Sequence, residues 1–597
     1  MTEHDVRGLL REVKRGHLSR RAFVQTMVGL GLTALHASQL LASAGVAAAQ
    51  TPGPAPTFTP TKRGGGGPLR ILWWDAPTSL NPSLALGVKD WNASALFYEP
   101  LVWFDLDGNM SPALAREVPS VQNGGVSKDG TVVTWRLKRN VQWHDGAPFT
   151  AEDVVFNWEY AADPATASPQ VGVFRNVRRV EAVDPHTVKV TFTQPTPFWV
   201  VTGMLLPKHV FGPYKGGKSR EAPNNNKPVG TGPYRFVDFR PGDMLKAEIN
   251  PNYHVANRPF FDTVELKGGG DAVSAARAVL QTGEYDFAGE VTSVEDDVLQ
   301  RLEAGGKGRL SVGYGGRILH IALNQSDPWT EVDGERASIK STHPFLTDPA
   351  VRGALALLVD RASIQEQIYP RSGRATGNFI NTPERFRSKN IRWQFDPDRA
   401  NQLLDAGGWK RGADGVRAKD GKRLKALFQT VTNGPLQKIQ AVVKQALTKA
   451  GFEVELKSVV ASSFYGSDPS NPDTYTHFYA DLQMQTYVMG PPDPERLLRV
   501  FTSWEIAQKD NKWQKFNVFR FRNDEYDGLY RAAETEMDPV KRAAMFIRMN
   551  DIVINNGVVI PIAQRAKGAA IAAKLRGVET NPYELDVWNI AFWYREA

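Results

Sequence analysis

The stretch from Leu424 to Leu456 most narrows what this chain can fold into. Leu424–Val431 is a short run rich in apolar and β-branched residues, the composition of a buried strand. Asn433-Gly434-Pro435 then marks a turn. Leu436, Ile439, Val443 and Leu447 follow at helical spacing and form one apolar face. Gly451 stops that helix, and Phe452–Leu456 returns as a second strand. Two strands joined through one helix lie parallel, with a right-handed crossover. The body is therefore expected to be α/β.

Further elements lie in the N-terminal half. Leu69–Trp74 and Thr131–Leu137 have strand character. Thr150 is an N-cap, with Asp153 as its capping-box partner, and it opens a helix whose expected buried face is Val154, Val155 and Trp158. No fixed-period repeat is present, which excludes solenoids and propellers.

A chain of 597 residues calls for two or three lobes. Its hydrophobic fraction of 42% is enough for sizeable cores and excludes wholesale disorder. The net charge of +8 comes without a long basic run in the body of the chain, so nucleic acid is not an expected partner. There is no cysteine, which removes disulfides, thiolate metal sites, cysteine nucleophiles and lipid attachment through cysteine.

The N-terminus has the layout of an address. Ser19-Arg20-Arg21-Ala22-Phe23 precedes a weakly apolar stretch, Val24–Ala49, that ends in Ala47-Ala48-Ala49. Gln25, Thr26, His36 and Gln39 make that stretch too polar for a membrane span. The paired arginines resemble a twin-arginine signal, so residues 1–49 are expected to direct export to a periplasmic space and to be removed. Residues 50–68, rich in Pro, Thr and Gly, are expected to be a flexible leader, with folded structure from about Leu69.

Motifs that carry chemistry are missing. Seven histidines lie beyond the address, His144, His186, His209, His254, His320, His343 and His477, and none forms the i, i+4 pair of a helical zinc site. His144 sits in a turn, where a structural hydrogen bond is the expected role. No nucleophile elbow, phosphate loop or dinucleotide fingerprint occurs; Gly268-Gly269-Gly270 is not followed by one. The expectation is no enzyme, no cofactor and no metal.

The segment Val141-Gln142-Trp143-His144-Asp145-Gly146-Ala147-Pro148-Phe149-Thr150-Ala151-Glu152-Asp153-Val154-Val155-Phe156 resembles the signature of family 5 solute-binding proteins, the oligopeptide, dipeptide and nickel-binding group. Gly230-Thr231-Gly232-Pro233-Tyr234, Asp360-Arg361, Asp396-Pro397 and Pro492-Asp493-Pro494 are similar to later blocks in the same order. The resemblance implies an α/β two-lobed periplasmic-binding-protein clamp, type II-like, with a subdomain at about 110–225 inserted in the N-terminal lobe. It implies lobes at about 69–322 and 323–552, with 553–597 returning to the first. It implies a monomer that captures a peptide or peptide-like solute between its lobes and hands it to the permease of an ABC importer. A chemosensory partner role stays open beside transport, and a periplasmic hydrolase is the least favoured reading.

Where the ligand is read also follows from the resemblance. Leu86-Gly87-Val88 resembles the segment that contacts peptide backbone, and Trp91, flanked by Asp90 and Asn92, is the favoured aromatic platform. In peptide-binding members an aspartate near the Asp-Pro block pairs with the ligand's α-amine. Aligned on Asp493-Pro494, the local sequence Tyr487-Val488-Met489-Gly490 puts glycine at that place. Asp75, Asp481 or Asp493 substitutes for it, or the ligand has no free amine, as in an oligosaccharide or an opine-like conjugate. Trp73, Trp74 and Trp103 are further candidates for the cleft.

Overall fold

The computed structural model describes Leu10, Phe23 and residues 58–200, 203–269, 271–466 and 468–596. Apart from Leu10 and Phe23, the export address lies outside the described residues, as do the first part of the leader and Gly270. Among the described residues no helix is long and apolar enough to cross a membrane. The chain divides into two units, and the division falls inside two long strands, Gly308–Leu323 and Val559–Ala572. The first unit comprises the described residues of Met1–Gly313, Thr535–Val540 and Lys567–Ala597; the second comprises Tyr314–Glu534 and Lys541–Ala566. The chain thus leaves the second unit after Ala566, later than the expected 553. Residues 559–566 stay because Ile560, Ile562 and Ala563 belong to the second unit's core.

In the first unit the strand Pro68–Trp73 pairs in parallel with Thr263–Gly268 and with Phe287–Ala288. Met244–Ile249 and Tyr234–Arg240 extend the sheet antiparallel. Its alternation buries Leu69, Ile71 and Trp73 with Tyr98, Phe287 and Trp593. Trp73, a candidate for the cleft, is therefore a core residue. The expected leader does not stay loose to its end. Asp262 accepts the amides of Gly65 and Gly67 at 2.8 Å each, and Phe58 stacks on Tyr594 at 4.4 Å. The carboxylate and the aromatic face supply what the composition of residues 58–67 lacks.

Residues 132–136, 187–192 and 177–184 form a separate antiparallel sheet with its own core, including Trp135, Trp143 and Val190. The helix Ala151–Ala162 starts with the expected capping box of Thr150 and Asp153. It buries two sides: Val154 faces this core, whereas Phe156 and Tyr160 face the main sheet. The expected face of Val154, Val155 and Trp158 captures one of those sides.

The family-like signature pins this helix to the main sheet. His144 Nδ1 accepts the Gly230 amide at 3.0 Å and Nε2 donates to the Gly232 carbonyl at 3.1 Å. Burial pushes the ring down to about 4, so it is neutral at pH 7 and donates from one nitrogen only. Gly230 is needed for approach: a Cβ there would meet the Phe97 carbonyl oxygen at 1.9 Å.

In the second unit the strand–helix–strand reading holds. Lys425–Val431 and Glu453–Val459 are parallel, with Phe428 opposite Leu456. The helix Gly434–Ala450 is capped by Asn433 and ends on Gly451 at φ +98°. Leu436, Ile439, Val443 and Leu447 face the core. Leu482–Met489 joins the other edge of Lys425–Val431 in parallel and pairs antiparallel with the strand from Gly316 to Leu323.

Candidate functional site

The first unit's expected ligand segment is an exposed corner. Gly87 caps the helix Val88–Ser94 in an extended conformation, and Leu86 is 80% exposed, with Val88 also exposed. Trp91 is half-buried and its indole N–H donates to the Pro82 carbonyl at 3.2 Å. That bond fixes the ring to its own loop and leaves a face, not the N–H, for contact. Asp90 is buried and accepts the amides of Thr78 and Ser79, so it shapes the corner from beneath.

A network missed by sequence reasoning lies under the same helix. Asn92 Oδ1 accepts the Asp586 amide at 2.7 Å, and its amide reaches Asp586 Oδ2 at 3.3 Å. Lys567 Nζ pairs with Asp586 at 2.8 Å, with both side chains buried, and donates to the Glu584 carbonyl at 2.6 Å. Glu584 accepts the Phe104 amide at 2.6 Å. Close by, Trp103 and Trp588 meet edge to face at 6.0 Å. No local pattern marks these residues, because Asn92 and Asp586 lie 494 positions apart.

Burial pushes the Glu584 carboxyl up to about 8, against the opposing pull of the Phe104 amide and Lys567. The sign of the pH effect follows. Between the ordinary glutamate value and about 8 the folded state holds a proton that the unfolded chain has lost. This contribution to stability is full at low pH and is lost as pH rises through that window. The parent should therefore lose thermal stability between about pH 5 and pH 8 more steeply than Glu584→Gln. Parallel slopes in thermal melts would refute this account of Glu584.

In the second unit the strand Leu482–Met489 carries the other candidates. Leu482 and Met484 point into the core, and the alternate positions face a cluster of rings. There Tyr487 lies 4.8 Å from His320 and 6.1 Å from Phe379. His320 is fully buried, neutral, and pushed down to about 4 by burial. Tyr487 is half-buried, Val488 is 59% exposed, Met489 is buried and packs over Gly316, and Gly490 is exposed. A Cβ built on Gly490 meets nothing within 4 Å.

The three substitute carboxylates differ. Asp481 is wholly buried and accepts from His343 at 2.9 Å, Trp329 at 3.0 Å and the Leu427 amide at 2.7 Å. Asp493 is gripped by both terminal nitrogens of Arg542 and accepts the Glu495 amide at 3.0 Å. Both are spent on structure. Asp75 is half-exposed and pairs with Lys89 at 2.9 Å. Among the described residues no group of three or more His, Asp or Glu side chains is placed to hold a metal ion.

The chain's two α/β units and the family model that matches most of the chain place it in the class of solute-binding proteins. The chain is a member of the bacterial extracellular solute-binding proteins, family 5, whose model matches residues 109–508. That is a family of binding proteins and not of enzymes. A putative ABC transporter peptide-binding protein of Brucella ovis is 25% identical over 524 residues, covering 86% of this chain and 88% of that protein. Among solved structures, NikZ from Campylobacter jejuni in complex with Ni(L-His) matches with a TM-score of 0.69 at 24% identity, over 88% of this chain and 99% of its own. The oligopeptide-binding protein AppA from Bacillus subtilis in complex with a nonapeptide matches with a TM-score of 0.67 at 23% identity, over 90% and 100%. These likenesses establish the two-lobed fold. Two neighbours of nearly equal similarity hold unlike ligands, so the fold does not choose the ligand.

Proposed function

We propose that this protein is the substrate-binding component of an ABC importer, and that it captures a peptide or peptide-like solute and delivers it to a membrane permease. The family match across residues 109–508 carries this reading. The contact segments are Leu86, Gly87, Val88 and Trp91 of the first unit, and Tyr487, Val488, Met489 and Gly490 of the second. Leu86, Val88 and Val488 offer exposed apolar surface, and Gly490 at the strand end is exposed. Export through the Arg20-Arg21 signal, a periplasmic location, a monomeric state and the absence of catalysis are parts of the same proposal.

One observation favours a ligand without a free α-amine. Gly490 supplies no carboxylate, Asp481 and Asp493 are already engaged, and Asp75 is paired with Lys89. A buried ammonium without a partner is penalised by several kcal/mol in practice. Blocked peptides, opine-like conjugates and oligosaccharides avoid that cost.

Thermal shift tests the proposal, using the chain from Gln50 onward against free peptides, N-acetylated peptides, oligosaccharides and opine-like conjugates. A ligand bound by the folded state alone stabilises it by about 2.7 kcal/mol at a hundredfold excess over Kd. Blocked peptides or conjugates should raise Tm more than free-amine peptides do. A shift with none of the four classes would overturn the proposed function.

A further inference from the structure

The second unit holds a cavity of about 350 Å³ that none of the contact segments lines. Its charged lining is Arg352, Arg361 and Arg392, and no carboxylate is among the described residues that line it. Arg361 is 3% exposed, and every acceptor it has among the described residues is neutral. Its Nε donates to the Pro561 carbonyl at 2.6 Å, and Nη1 donates to the carbonyls of Ala356 at 3.1 Å and Val359 at 3.3 Å. Nη2 has no acceptor among the described residues. Arg352 also donates through Nη1 to two carbonyls, those of Leu346 at 3.2 Å and Thr347 at 2.8 Å, although the nearby Asp348 carboxylate partly offsets the effect of its burial. Arg392 is exposed and has no partner among the described residues.

All three charged residues that line the hollow are cationic, and at Arg361 a buried charge facing only carbonyls lacks the counter-charge that makes burial tolerable. Burial alone pulls Arg361 down to about 10, which agrees with an uncompensated position. The Trp393 ring lies over Arg361 at 5.5 Å, and Leu357, Ile554 and Ile560 make apolar walls. The volume falls at the lower end of the range for small-molecule sites, which start at about 300 Å³. A hydrated inorganic anion would leave those walls unused.

We propose that this cavity is a second binding site, for a small organic anion. Its carboxylate is held by Arg352, Arg361 and Arg392, and its flat apolar body lies along Trp393 and Ile560. The guanidinium fork matches carboxylate geometry, and its donors gain strength against a charged acceptor. The proposal stands independently of what the importer carries.

Calorimetric titration of the full chain tests it with benzoate, its neutral isostere benzamide, and inorganic phosphate. Benzoate should bind saturably at one site, with benzamide and phosphate weaker by at least about tenfold. Arg392→Glu, an exposed change, should weaken benzoate by at least about tenfold while leaving Tm as in the parent. Trp393→Ala provides a second variant, also weakened for benzoate, should the charge reversal impair folding. Absence of saturable benzoate binding, unchanged affinity in a folded variant, or phosphate binding as tightly as benzoate would each overturn the site.

Discussion

Gly490→Asp should tighten the binding of a free-amine dipeptide by at least about tenfold and leave its N-acetylated counterpart unchanged. Tenfold corresponds to about 1.4 kcal/mol, and a hydrogen bond to a charged group contributes about 1.5–3 kcal/mol. The added side chain has room, since nothing lies within 4 Å of its Cβ, and Gly490 does not occupy the left-handed region. Little stability should therefore be lost. Calorimetry with the paired ligands reads the effect. Micromolar binding of the free dipeptide by the parent would mean that another group already meets the amine. Equal tightening of both ligands would mean that the amine does not sit at this strand end.

Removing the Asp493 carboxylate should produce the largest loss of stability, about 3–5 kcal/mol for Asp493→Ala. Arg542 would keep its Nε bond to the Ala533 carbonyl at 2.8 Å but stay buried without a counter-charge. Desolvation is then uncompensated, which costs more than the pair itself contributes. The double change Asp493→Ala with Arg542→Met should recover part of the loss, because it removes the stranded charge. Denaturant unfolding of the parent and the two variants checks this. A double variant less stable than Asp493→Ala would show that Arg542 acts chiefly through packing against Phe546, over which it lies at 4.6 Å.

What the sequence by itself determined is local or periodic. The crossover at Leu424–Leu456 could be read because apolar spacing, an Asn cap and a stopping Gly act within a few residues of one another. The Thr150 and Asp153 capping box was legible for the same reason. The ordered blocks around His144 and Gly230 pointed to the family, and His144 proved structural as its turn position suggested.

Tertiary structure alone decided what those residues meet. Asp481 and Asp493 look like free carboxylates in a list of residues. They are spent only because folding brings His343 and Arg542 to them across 138 and 49 positions. Glu584 gains its raised pKa from burial, and Trp73 is a core ring because its strand lies beneath Phe287 and Trp593. The arginine-lined cavity draws on segments from Pro349 to Pro561 that carry no shared motif. Burial and counter-charge are properties of the packed chain, since desolvation depends on every neighbour and local sequence names few of them.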